Sequence, residues 1–238
     1  MDIGKSIIYV GDDEDWLSKL ILGAIVANVP NLNLAWLGYL TDIMRNVSDD
    51  IARPLPDWSD FGDKFVKGLK LVGAAIIYTL PGLLLLGIPL VAVIVAGIPA
   101  DADLQEAIAA TFAGVGIVLG CCIAIYFLVF AFLIPAINLH FARCGTFGSC
   151  FQIKDIMQLV FNNFGEYLIA LLVSWCAALL ISMAVSILSI MLVLIPCVGW
   201  ILMILIGAVT NVWIGTIYAH LVGQVGAIAS METDVRLE

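Results

Sequence analysis

The sequence predicts an all-α polytopic membrane protein with four long spans, an N-terminal re-entrant helical hairpin and short amphipathic surface helices. Three observations carry this. First, 63% of the 238 residues are hydrophobic and only 12% are charged, against roughly half and about a quarter in soluble domains. Second, the apolar residues gather in four runs, 71–100, 107–137, 167–195 and 200–229, each longer than the roughly 20 residues a helix needs to cross a bilayer. Third, none of these runs contains Asp, Glu, Lys or Arg. A soluble domain of this length has no room to hide so much apolar surface. Soluble enzymes and disordered chains are thereby excluded. The formal net charge of −9 also argues against a nucleic-acid reader.

Residues 1–10 read as a short surface helix. Asp2 suits its N-cap, and Ile3, Ile7, Ile8 and Val10 form one apolar stripe. Asp12, Asp13, Glu14 and Asp15 then lead to Trp16, an aromatic suited to the headgroup layer. Two apolar arms follow, 16–29 and 34–44, separated by Pro30-Asn31-Leu32-Asn33. Each arm is too short to span. A single helix kinked at Pro30 and a re-entrant hairpin with its tip at Pro30, Asn31 and Asn33 are both open. The cost of placing Asn31 and Asn33 in mid-span favours the hairpin, with both amides satisfied inside the bundle.

Residues 45–70 are polar. Asp57 or Ser59 suits the cap of a second surface helix carrying Phe61, Phe65, Val66 and Leu69 on one face. That helix runs into the first apolar run, where Pro81, Pro89 and Pro99 predict kinks. The acidic stretch 101–106 reads as a loop before the second run. Residues 140–151 read as another loop and 153–164 as an amphipathic helix. The last two runs are joined only by Pro196-Cys197-Val198-Gly199, a helical hairpin. The expected organisation is one membrane domain over 1–238. It comprises a surface helix and re-entrant hairpin (1–47), a cytoplasmic loop with a surface helix (48–70) and a first helical hairpin (71–138). A cytoplasmic loop with an amphipathic helix (139–166) and a second hairpin (167–229) complete it.

Cations set the orientation. Arg45, Arg53, Lys64, Lys67 and Lys70 lie in one polar segment and Arg143 and Lys154 in another, while 101–106 and the Pro196 turn have none. The cationic segments are therefore assigned to the cytoplasm, and with a hairpin at Pro30 both termini are expected there. Internal similarity agrees with the hairpin. Residues 1–17 resemble 151–168 in running from an amphipathic stretch through a polar cluster and an aromatic into an apolar arm. Val29-Pro30 and Ile195-Pro196 end the corresponding arms, and Trp36 and Trp200 follow.

Several motifs carry a family resemblance. They are Met1-Asp2-Ile3-Gly4, Asp13-Glu14-Asp15-Trp16-Leu17, Leu37-Gly38-Tyr39-Leu40, Leu55-Pro56-Asp57-Trp58-Ser59-Asp60-Phe61-Gly62, the Pro196 turn and Ala219-His220-Leu221-Val222-Gly223-Gln224. In this order they resemble a prokaryotic integral-membrane family of unknown function, domain of unknown function 4013. The resemblance implies a small multi-pass protein of a prokaryotic plasma membrane and supplies no active site.

Among candidate functional residues, His220 and Gln224 stand four apart on one helical face. A polar site there would be joined by Asn138 and His140. The competing role is interhelical hydrogen bonding. His140, Cys144 and Cys150 lack the Cys-x2–4-Cys spacing and the fourth ligand of a closed zinc site, so no metal is expected. Gly116 and Gly120 have the spacing of a small-residue helix contact. No catalytic constellation is present, and neither enzyme activity nor a cofactor is expected. The absence of ionisable groups in the spans argues against proton-coupled pumping. The expected function is a non-enzymatic scaffold or accessory membrane protein; the alternative is a transporter or channel for a neutral or lipid-like solute. Expected partners are membrane lipid and further copies or other membrane subunits, with no nucleic acid.

Overall fold

The computed structural model describes residues 1–96, 102–195 and 197–235. Eight α-helices and no strand are found among them: α1 Ile3–Ile8, α2 Trp16–Asn28, α3 Asn33–Ser48, α4 Phe61–Ala96, α5 Ala102–Cys144, α6 Ile153–Asn162, α7 Phe164–Val193 and α8 Val198–Val235. Short 3-10 turns, Tyr9–Asp12 and Phe147–Phe151, follow α1 and precede α6. Four segments, Phe61–Gly87, Gly114–Cys144, Phe164–Val193 and Val198–Met231, are long and apolar enough to cross a membrane. A chain in lipid has no water to satisfy its peptide groups, so uninterrupted helices are the expected outcome.

The described residues form two compact units, Met1–Val72 with Ala136–Glu238, and Gly73–Pro135. In the second unit α4 and α5 run antiparallel. Tyr126 donates its hydroxyl to the Tyr78 carbonyl, and the Tyr78 and Phe130 rings lie 5.3 Å apart. Gly82 leaves room for Phe127, whose ring edge would stand 2.7 Å from an added Cβ.

In the first unit α3 is the hub. It lies parallel to the second half of α8, with Gly215 against Trp36, Gly223 against Met44 and Val47, and Gly226 against the Ser48 hydroxyl. Ser48 Oγ reaches the Gly223 carbonyl at 3.1 Å across the same seam. On its other side α3 meets the start of α4 antiparallel and reciprocally. A Cβ at Gly38 would collide with the Lys64 carbonyl, and one at Gly68 with the Leu34 carbonyl. Side chains would hold these backbones apart; glycine lets them touch. α2 covers the assembly through Gly23, whose added Cβ would stand 3.3 Å from Trp36 and 3.4 Å from Val212. α7 packs along α8.

The expected boundaries need several corrections. Residues 16–44 are two helices rather than one kinked helix, because Val29 is extended and Asn31 takes a left-handed φ of 68°. Asn31 and Asn33 are exposed, as is Pro30, so the amides are not satisfied inside the bundle. Asparagine is there because it tolerates the left-handed conformation that ends α2. Residues 61–70 are the first turns of α4 and not a separate surface helix. Asp57 forms an ion pair with Lys19 at 2.9 Å instead of capping. The 45–60 segment is docked and not a free loop: α3 extends to Ser48, Leu55 is buried, and Trp58 stacks on Tyr39 at 4.4 Å while donating to the Lys19 carbonyl at 3.1 Å. α5 begins at Ala102, which removes most of the expected 101–106 loop. Helix is continuous through Pro81 and Pro89. Pro99, Asp101 and Pro196 lie outside the described residues. Among the described residues, a Cβ at Gly116 or Gly120 would meet nothing within 4 Å.

Substituting Ala for Gly38 or Gly223 is expected to destabilise the chain in detergent by about 1–3 kcal/mol through overpacking. At Gly62 an added Cβ meets nothing within 4 Å, so Gly62→Ala should melt at or above the parent temperature. Parallel thermal melts of the three variants check this.

Candidate functional site

The polar residues of α8 meet the N-terminus. Thr216, His220 and Gln224 follow at four-residue intervals and share one face of α8. Asp2 caps α1 by accepting from the Lys5 amide at 2.9 Å, and the helix presents Ser6 toward that face. Ser6 Oγ lies 2.9 Å from His220 Nδ1. Gln224 and Asp2 make a reciprocal amide pair. The Asp2 amide donates to Gln224 Oε1 at 2.7 Å, and Gln224 Nε2 donates to the Asp2 carbonyl at 2.8 Å. Gln224 Nε2 also lies 3.0 Å from Ser6 Oγ and 3.0 Å from His220 Nδ1. With Nδ1 as the acceptor in this set, the ring proton belongs on Nε2.

Tyr9 closes the far end. Its ring packs on His220 with centroids 4.2 Å apart, and its hydroxyl donates to the Thr216 carbonyl at 3.1 Å. Burial pushes this phenol well above its ordinary range, so it stays a neutral donor at any physiological pH. A cavity of about 220 Å³ lies beside the pair, lined by Asp2, Lys5, Val47, Asp50, Ile51, Pro54, His220, Gln224 and Ala227.

The four residues singled out by sequence do not form one cluster. His220 and Gln224 are together. Asn138 is a hydrogen-bond partner of Tyr218. His140 Nε2 lies 2.9 Å from Gln152 Oε1 and 3.8 Å from Cys144 Sγ. Sequence reasoning missed Ser6, Tyr9 and Thr216. The signal was present in the spacing of Asp2, Ser6 and Tyr9, which share one helical face. Ser6 beside His220 has the look of a nucleophile and its base. Ser6 is, however, fully buried, and its oxygen is already engaged by Asp2, Gln224 and His220. The arrangement is a latch that holds α1 on α8.

Cys150 is buried, and burial pushes its thiol up to about 11. Cys144 is exposed at the end of α5, just before Gly145, whose φ of +71° turns the chain out of the helix. Among the described residues no group of three or more His, Cys, Asp or Glu side chains is placed to hold a metal ion.

The family described as Protein of unknown function (DUF4013) matches residues 21–190. That is more than half of the chain, and the chain belongs to this family. The match starts within α2 and ends within α7, so Ser6, His220, Gln224 and the outer motifs of the resemblance fall outside the matched residues. No curated protein and no solved structure matches the chain.

Two outcomes test the site. Gln224→Leu and His220→Leu should each lower stability by about 1–2 kcal/mol. A double-mutant cycle pairing His220→Leu with Ser6→Ala should show coupling of at least about 0.5 kcal/mol; additive losses would mean that the 2.9 Å contact carries no energy. In single-cysteine versions at about pH 8, a maleimide should label Cys144 readily and Cys150 hardly at all, because only the thiolate reacts.

Proposed function

We propose that this DUF4013 family member is a non-enzymatic scaffold or accessory protein of a prokaryotic plasma membrane, with both termini cytoplasmic. The observation that carries the reading is the latch: the hydrogen-bonding groups of His220 and Gln224 that face α1 are engaged by Asp2 and Ser6. The polar side chains best suited to a solute site thus serve to join two parts of the same chain.

The α2–α3 pair is proposed as the re-entrant hairpin. At 1.5 Å per residue its 13 and 16 residues reach about 20 and 24 Å, short of the roughly 30 Å hydrocarbon core. Its tip exposes Asn31 and Asn33. Exposed carboxamides among apolar helices favour hydrogen bonding to a neighbouring protein, which supports assembly with further copies or other subunits. The apolar outer faces of α7 and α8, with Trp175, Leu179, Trp200 and Ile204 exposed, provide area for the same contacts or for lipid.

A second reading is a carrier for a neutral solute, favoured by the cavity of about 220 Å³ beside His220 and Gln224. It is smaller than the roughly 300–1,000 Å³ typical of ligand clefts, so a solute there would be small. Vesicle swelling with urea and glycerol separates the readings. Reconstituted protein should give no flux above empty vesicles; flux abolished by His220→Leu would overturn the scaffold proposal. Scaffold assembly has its own measurement. Asn33→Leu combined with Asn31→Gly, which keeps the left-handed turn, should reduce the oligomer size seen by light scattering in detergent. For orientation, single cysteines introduced at 102 and 198 into a cysteine-free background should react with an impermeant thiol reagent on intact cells, and one at 59 should not.

A further inference from the structure

We infer that the groove beside the latch, between the 3-10 turn after α1, the start of α2 and the middle of α8, seats an acyl chain of a bilayer lipid whose headgroup carries an ammonium. The groove has a volume of about 380 Å³, within the range of true ligand clefts. Val10 and Leu20 are buried and form its floor; Ile7, Trp16, Val209 and Trp213 are partly exposed and form its rim. Its lining is apolar and belongs in part to a helix long enough to cross a membrane. The fluid that fills such a groove in a bilayer is hydrocarbon.

Charge on the segment between two of the lining residues selects the headgroup. Lining residues Gly11 and Trp16 bracket four consecutive acids. Asp13 is neutralised by Lys19 at 2.8 Å and Glu14 by Arg53 at 2.9 Å. Asp12 and Asp15 are exposed and make no ion pair among the described residues. The two open carboxylates, next in sequence to the lining residues Gly11 and Trp16, attract a lipid ammonium by charge and repel a net-anionic headgroup, and the rim indoles attract the ammonium through their ring faces. Trp16 and Trp213 are also the residue type that settles where acyl chain meets headgroup.

The test uses the full chain in nanodiscs made from equal amounts of phosphatidylethanolamine and phosphatidylglycerol with identical acyl chains. Lipid retained after extraction into mild detergent is counted by native mass spectrometry. The parent should retain phosphatidylethanolamine over phosphatidylglycerol by about threefold or more. Gly11→Leu should remove that retained lipid while melting like the parent, since an added Cβ at Gly11 meets nothing within 4 Å. Asp12→Asn with Asp15→Asn should keep a bound lipid and lose the preference. Equal retention of both lipids by the parent would overturn the inference. So would a folded Gly11→Leu chain that retains phosphatidylethanolamine as the parent does, or a double Asn variant with the preference intact.

Discussion

The close approach of α3 to two neighbours is the constraint on which the first unit depends. α3 is a short helix with Asp42 and Arg45 in it, and in isolation it would be marginal in water and costly in lipid. It persists because Gly38 and Gly68 let it touch α4 backbone to backbone, and Gly215, Gly223 and Gly226 let it lie in a seam along α8. Such contact maximises dispersion and leaves little space for lipid between helices. The large buried side chains Tyr39, Ile43 and Met44 then fill the angles between these helices. α2 and the latch of α1 are laid onto a surface that this crossing has already made.

The crossing also explains how charged groups come to be buried. Lys64 is 4% exposed, and its ammonium lies 3.6 Å from Asp42, which Lys67 contacts at 2.5 Å. Lys67 in turn meets Asp63 at 2.6 Å. A buried lysine without a carboxylate would be strongly destabilising, so Asp42 is the residue that permits α3 and α4 to approach with Lys64 between them. The Asp13–Lys19–Asp57 group does the same for α2 and the docked 49–60 segment. Burial alone would lower the Lys19 pKa, but the hydrogen bonds and charge of Asp13 and Asp57 more than offset it and hold the pKa above its ordinary value. A raised lysine contributes stability at neutral pH that is lost only as pH rises through the range where it deprotonates.

The two Pro turns give the internal similarity a structural counterpart. In the first, the Asn33 amide donates to the Val29 carbonyl at 3.2 Å; in the second, the Gly199 amide donates to the Ile195 carbonyl at 3.0 Å. The residue after each proline in sequence, Asn31 or Cys197, has a φ of 68° or 64°. Each turn joins helices that pack on one another, α2 with α3 and α7 with α8. The first pair has helices of 13 and 16 residues and the second of 30 and 38.

Composition and run length determined that the chain is all-helical with four segments able to cross a membrane, because those properties depend only on local apolarity and on the backbone's need for internal hydrogen bonds. The family was legible in short motifs. The pairing of His220 with Gln224 was legible because helical spacing alone places both on one face. What they bind was not, since Asp2 and Ser6 lie more than two hundred residues away in the chain. Asn138 and His140 were grouped with them by type and position, and tertiary packing gave each a different partner, Tyr218 and Gln152. Glycine spacing suggested a contact at Gly116 and Gly120; among the described residues, close approaches to another helix's backbone occur at Gly38, Gly68 and Gly223. Which glycine is needed depends on where another helix arrives, and only the folded chain decides that.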